Sequence, residues 1–130
     1  MYTLSMLKRE QRLTRKKDFE ILFKEGRFVG GEYVSVKVWE VRPEKYPKRN
    51  YTTVALQIGF VVGLKVSKSA VKRNRIKRQM REVVRLLLLD NKIKQGFMIV
   101  IMAKPNAVGV LYADLEKDIV AVLKRSRVFV

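Results

Sequence analysis

The run from residue 69 to 89 constrains this chain more than any other segment. Ile76, Met80, Val83, Val84, Leu87 and Leu88 recur there at helical spacing, which predicts an amphipathic helix whose apolar stripe suits packing on a sheet. At about 100° per residue the stripe centres near Met80 and Leu87, and Asn74, Arg78, Arg81 and Arg85 line the side turned away from it. Arg73 and Lys77 fall at the angles that Val84 and Leu88 occupy later. The first turns are therefore expected to project past the core with cations on several sides.

Between residues 65 and 85 stand Lys65, Lys68, Lys72, Arg73, Arg75, Lys77, Arg78, Arg81 and Arg85, opposed only by Glu82. A merely solvated helix face intersperses both signs. This one does not, and Arg outnumbers Lys within the helix, which suits forked contact with phosphate oxygens. The whole chain carries 29 Lys and Arg against 12 Asp and Glu, a net charge of +17. Such an excess costs stability through self-repulsion, and a polyanionic partner is its natural explanation. A hydrophobic content of 48% places the charge on a folded body rather than a disordered tail.

With 130 residues the expectation is one domain, 1–130, with a basic, flexible lead-in over 1–13. The absence of Cys leaves no disulfide or thiolate metal site and suits a reducing compartment. The longest apolar runs, 83–89 and 97–103, fall short of the roughly 20 residues of a bilayer span. The N-terminus turns charged at Lys8 before a signal-like stretch develops. A cytoplasmic protein with no membrane partner is expected.

A first helix is predicted with Thr14 as N-cap, Asp18 at the positive end of the dipole, Phe19, Leu22 and Phe23 at i, i+3, i+4, and Gly26 as its stop. Residues 27–29 read as a short strand, with Gly30 and Gly31 supplying positive φ in a tight hairpin turn. Residues 33–40 alternate, with Val34, Val36 and Val38 on one face and Tyr33, Ser35, Lys37 and Trp39 on the other, free to carry function. Residues 42–50 form a loop. Residues 51–62 read as a strand in which Gly59 marks a bulge or a close backbone approach. A strand over 97–103 and a helix over about 112–126 complete an α-β-β-β-α-β-α order. The fold class is α+β, a single-domain sandwich with a mixed sheet of about four strands.

Residues 72–81 read Lys-Arg-Asn-Arg-Ile-Lys-Arg-Gln-Met-Arg after Ser69-Ala70-Val71. This resembles the signature of the ribonuclease P protein family. Arg12-Leu13, Asp18-Phe19, Phe23-Lys24 and Gly26 resemble that family's first helix, so motif-level likeness covers residues 12–26 and 59–81. The chain departs from the pattern at 63–69, where the family usually places Gly and Asn before Ala-Val.

The resemblance implies a ribosomal-protein-like fold with a left-handed βαβ crossover. It also implies a subunit of the ribonucleoprotein that removes the 5′ leader of precursor transfer RNA, in which the RNA performs the cleavage with bound Mg2+. Lys72, Arg73, Asn74, Arg75, Lys77, Arg78 and Arg81 would meet the catalytic RNA. Phe19, Phe23, Lys65 and Lys37 are the candidates for the leader, in a cleft between the first helix and the open sheet face. The position at which some relatives carry a leader-facing Tyr falls at Val36, with Tyr33 nearby. No catalytic side chain, protein-held metal or obligate protein partner is implied.

Spacing alone leaves Phe19 and Phe23 open between core packing and base stacking. Asp114, Glu116 and Asp118 read better as dipole-favouring residues of the last helix than as a magnesium site. The chain has no His, and neither a nucleophile elbow nor a phosphate-binding glycine loop is present, which disfavours a protein-only nuclease. A structural ribosomal-RNA binder and an acidic-lipid binder are the competing classes.

Overall fold

The structure, a computed structural model, describes residues 9–130. Positions 1–8 of the expected lead-in, with Lys8, lie outside the described residues. Three helices, α1 (Lys16–Glu25), α2 (Ala70–Leu89) and α3 (Tyr112–Arg125), accompany strands β1 (Arg27–Gly30), β2 (Val34–Glu40), β3 (Leu56–Val61) and β4 (Phe97–Ala103). The sheet order is β1-β2-β4-β3, with β3 and β4 parallel and the other pairs antiparallel. The expected mixed four-stranded α+β architecture is present.

Strand alternation decides which helix covers which face. Val34, Val36 and Val38 pair with Ala103, Ile101 and Ile99, and this apolar face receives Ile76, Met80, Val83 and Val84 of α2 with Leu115, Ile119, Val122 and Leu123 of α3. Burying each such side chain is worth about 1.5–3 kcal/mol. Leu87 and Leu88 are only partly buried against this core.

The other face is less open than alternation suggests. Ile21 and Leu22 of α1 close over Trp39, Met98 and Val100, and Tyr46 and Tyr51 pack edge-on to Trp39 at 5.8 and 5.7 Å between ring centroids. Trp39 and Ser35 are buried, so neither is free to carry function. Tyr33 joins the α2/α3 core instead of sharing a face with Lys37. Val36, fully buried in that same core, cannot face a ligand.

Four local expectations change. Helix α1 starts one residue late, with Arg15 rather than Thr14 at the N-cap and no side-chain capping bond. The hairpin needs no positive φ at Gly30 or Gly31; the described glycines with positive φ are Gly96 and Gly109. Strand β3 begins at Leu56 because residues 51–55 belong to the loop, whose prolines open two short 3-10 turns, Pro43–Lys45 and Pro47–Arg49. Finally, residues 9–13 are ordered: Arg9–Gln11 is a 3-10 turn, Arg12 bridges Ile58, and buried Leu13 donates its N–H to the Ile58 carbonyl at 3.0 Å.

Candidate nucleic-acid interface

Ser69 caps α2, its Oγ accepting the Lys72 N–H at 3.3 Å. The first turns of the helix run against the usual electrostatics of a helix start. No acidic residue stands in the first turn, yet Lys72, Arg73 and Arg75 gather at the positive end of the dipole, where cations are unfavourable. Lys72, Asn74, Arg75, Arg78 and Arg81 are exposed, while Arg73 and Lys77 are half-buried. Arg73 donates to the Ser67 carbonyl at 2.9 Å and ties the 63–69 connection to the helix. Arg85 departs from the expected cationic face: its side chain is 11% exposed and forks onto Glu82 at 2.9 and 2.5 Å.

A groove of about 560 Å3 runs beside this helix, lined by Arg12, Leu13, Thr14 and Phe19 on one wall, Ile58, Gly59 and Phe60 below, and Lys77, Arg78 and Arg81 on the other wall. Gly59 makes the groove possible. A Cβ there would lie 2.8 Å from the Phe19 ring and 3.3 Å from the Leu13 Cβ, so the close approach expected at Gly59 is real. The register with β4 runs unbroken through Gly59, and no bulge forms. Phe19, half-buried, thus lines the groove and packs on its floor at once.

The remaining leader candidates do not gather there. Lys37 donates to the Phe23 carbonyl at 2.7 Å and stands 5.7 Å from the Phe23 ring centroid, a cation–π contact at the last turns of α1. Phe28, its cross-strand partner on β1, is 62% exposed and Phe23 41%. Phe28 extends this aromatic patch and was missed in the sequence because β1 is too short for alternation to register. Lys65 is exposed in the 63–69 connection and does not line the groove. The missing family Gly and Asn fall in that connection.

Asp118 is a further residue that the pattern misassigned. Its carboxylate accepts three backbone N–H groups of the β1–β2 turn, from Glu32, Tyr33 and Val34 at 2.9, 2.8 and 3.0 Å. The turn's carbonyls accept side-chain donors in exchange: the cations Lys104 and Arg125 bond to Gly31 and Gly30, and the neutral amide of Asn106 donates through Nδ2 to the Glu32 carbonyl at 3.0 Å. Asp18 likewise serves packing, buried and accepting from Arg49 at 2.6 Å and Tyr51 at 2.5 Å.

The fold and groove define a small basic α+β protein that presents a cationic helix and an aromatic ring across one recess. The family model for ribonuclease P matches residues 7–127. The ribonuclease P protein component of Pseudanabaena sp. is 35% identical over 95% of this chain and 97% of its own length. That of Exiguobacterium sp. is 34% identical over 95% and 96%. Among solved structures, the Thermotoga maritima ribonuclease P protein superposes with a TM-score of 0.70 at 28% identity over 88% of this chain and 96% of its own. A Staphylococcus aureus ribonuclease P protein mutant shares the fold, with a TM-score of 0.76 at 24% identity over 92% and 90%.

The chain belongs to the ribonuclease P protein family. It is a protein subunit of that endoribonuclease, which implies an RNA partner within a ribonucleoprotein.

Proposed function

We propose that this subunit binds the catalytic RNA through the exposed face of α2 and holds the 5′ leader of precursor transfer RNA along α1, while the RNA carries out the magnesium-dependent cleavage. The observation that carries this reading is the start of α2. Several guanidinium and ammonium groups stand there without acidic partners among the described residues, at a dipole end that repels them. An RNA backbone relieves both costs at once.

Lys72, Arg73, Asn74, Arg75, Lys77, Arg78 and Arg81 supply that surface. Phe19, on the opposite wall of the groove, offers the accessible part of its half-buried ring to an unpaired base, and Phe23 with Lys37 continues the track along α1. Lys65 does not line the groove and is given no role in the leader. Magnesium belongs on the RNA in this scheme, because three of the acidic groups already serve the fold: Asp18 with Arg49, Glu82 with Arg85 and Asp118 with the hairpin.

The test is cleavage of precursor transfer RNA by a bacterial ribonuclease P RNA at low magnesium, with and without this protein. Strong stimulation yielding the mature 5′ end is expected. Tight RNA binding without stimulation, cognate RNA included, would move the assignment to a structural RNA-binding role.

A further inference from the structure

Helix α1 has a second flank. There, between its first turns and the loop after β2, lies a recess of about 630 Å3, within the roughly 300–1,000 Å3 range of ligand sites. Arg12 and Thr14 line both this recess and the Phe19 groove, so the 12–14 segment forms the ridge between them. The floor is built from Val41, Tyr51, Gln57 and Met98 on the α1 face of the sheet, and the half-buried Tyr51 gives it one aromatic ring.

The rim is cationic. Arg9, Arg12, Arg15 and Arg49 face two acids, Glu10 and Asp18, and Asp18 is already answered by Arg49 and Tyr51. The Arg9 and Arg15 side chains are exposed and make no hydrogen bond or ion pair with other described residues. Lone surface cations are ordinary. Guanidinium forks around a floor that carries an aromatic ring are a narrower chemistry: they match a ligand with a phosphate at one end and a flat, weakly polar ring at the other. An acidic peptide would use the rim but leave the floor unfilled.

We propose that, in a chain that binds RNA through α2, this recess is a second and separate RNA site that takes one unpaired nucleotide, its phosphate on Arg9 and Arg15 and its base against Tyr51. The RNA would then straddle α1, gripping the 12–14 ridge from both sides. Arg49 positions the floor through Asp18 and is left intact in the test.

The chain has no Cys, so one introduced thiol can carry an iron–EDTA cleaving group to a chosen point. Thr52→Cys places it on the rim of the recess. Val71→Cys, at a 79% exposed position in the first turn of α2, places it beside the cationic helix. In complex with a bacterial ribonuclease P RNA, with and without precursor transfer RNA, both tethers are expected to cut, at different nucleotides. Which RNA the Thr52→Cys tether cuts identifies the source of the nucleotide. Adding Arg9→Ala with Arg15→Ala should reduce the Thr52→Cys cuts severalfold and leave the Val71→Cys cuts in place. Cuts from the helix alone, or recess cuts indifferent to the arginine changes, would overturn the second site and leave the subunit's RNA-binding role standing. Silence from both tethers would overturn both.

Discussion

Basic side chains gather both around the β1–β2 turn and at the start of α2, yet the cations do opposite things. At the turn, Lys104 and Arg125 are tied to backbone carbonyls while Asp118 holds the facing N–H groups, so these charges fasten one element to another. At α2 the cations point outward with no acid in the first turn. A basic residue therefore signals a partner only where the fold has not already used it, and net charge alone does not distinguish the two.

The largest expected effect is at the turn. Asp118→Ala would strand three N–H donors and should lower stability by about 3 kcal/mol in urea unfolding, with Asp118→Asn recovering part of it. RNA affinity measured where the variant is still folded should hold. A large loss of affinity at unchanged stability would break the contrast.

The converse test is Arg78→Ala with Arg81→Ala. Both side chains are exposed, so stability should stay within about 0.5 kcal/mol. Affinity for ribonuclease P RNA should fall, with the salt slope reduced by about one unit per lost phosphate contact. An unchanged slope would sink the placement of the RNA surface.

Next in size, Arg125→Ala removes one hydrogen bond to Gly30 and should cost about 1 kcal/mol of stability with little change in salt slope. The smallest effect concerns pH. Hydrogen bonds from Lys45 and Tyr46 hold the Glu25 carboxyl below its ordinary value of 4.5. A depressed carboxyl contributes stability that is present above its unfolded value and lost as pH falls through the folded one. Wild type should therefore melt above Glu25→Gln near neutrality, and the gap should close in acid below pH 4.5. A gap that stays constant with pH would show that the tie does not depend on charge.

Much of the fold was legible because periodicity reports burial. The α2 stripe, the Val34, Val36 and Val38 face and the close approach at Gly59 all follow from local spacing, and the Arg-Asn-Arg run marked the cationic helix. The errors came where a residue's partner is distant in the chain. Asp118 reads as a dipole-favouring acid until the fold carries it to a turn 84–86 residues away, and Gly31 reads as a positive-φ turn glycine. In the structure Gly31 is small because a Cβ would fall 2.5 Å from Val122 and 2.8 Å from Asp118. Arg85 is the exception: it reads as a surface cation, yet its partner Glu82 stands only three residues away on the same helix.

Local spacing along the chain settled the element order, the burial of the valine face and the concentration of cations at one helix start, because each depends on neighbours within a few residues. Tertiary packing settled that Lys104 and Arg125 are tied to a distant turn, that Phe19 alone of the leader candidates lines the groove, and that the start of α1 divides two recesses. Those outcomes depend on distances between segments far apart in the chain, which local spacing does not encode.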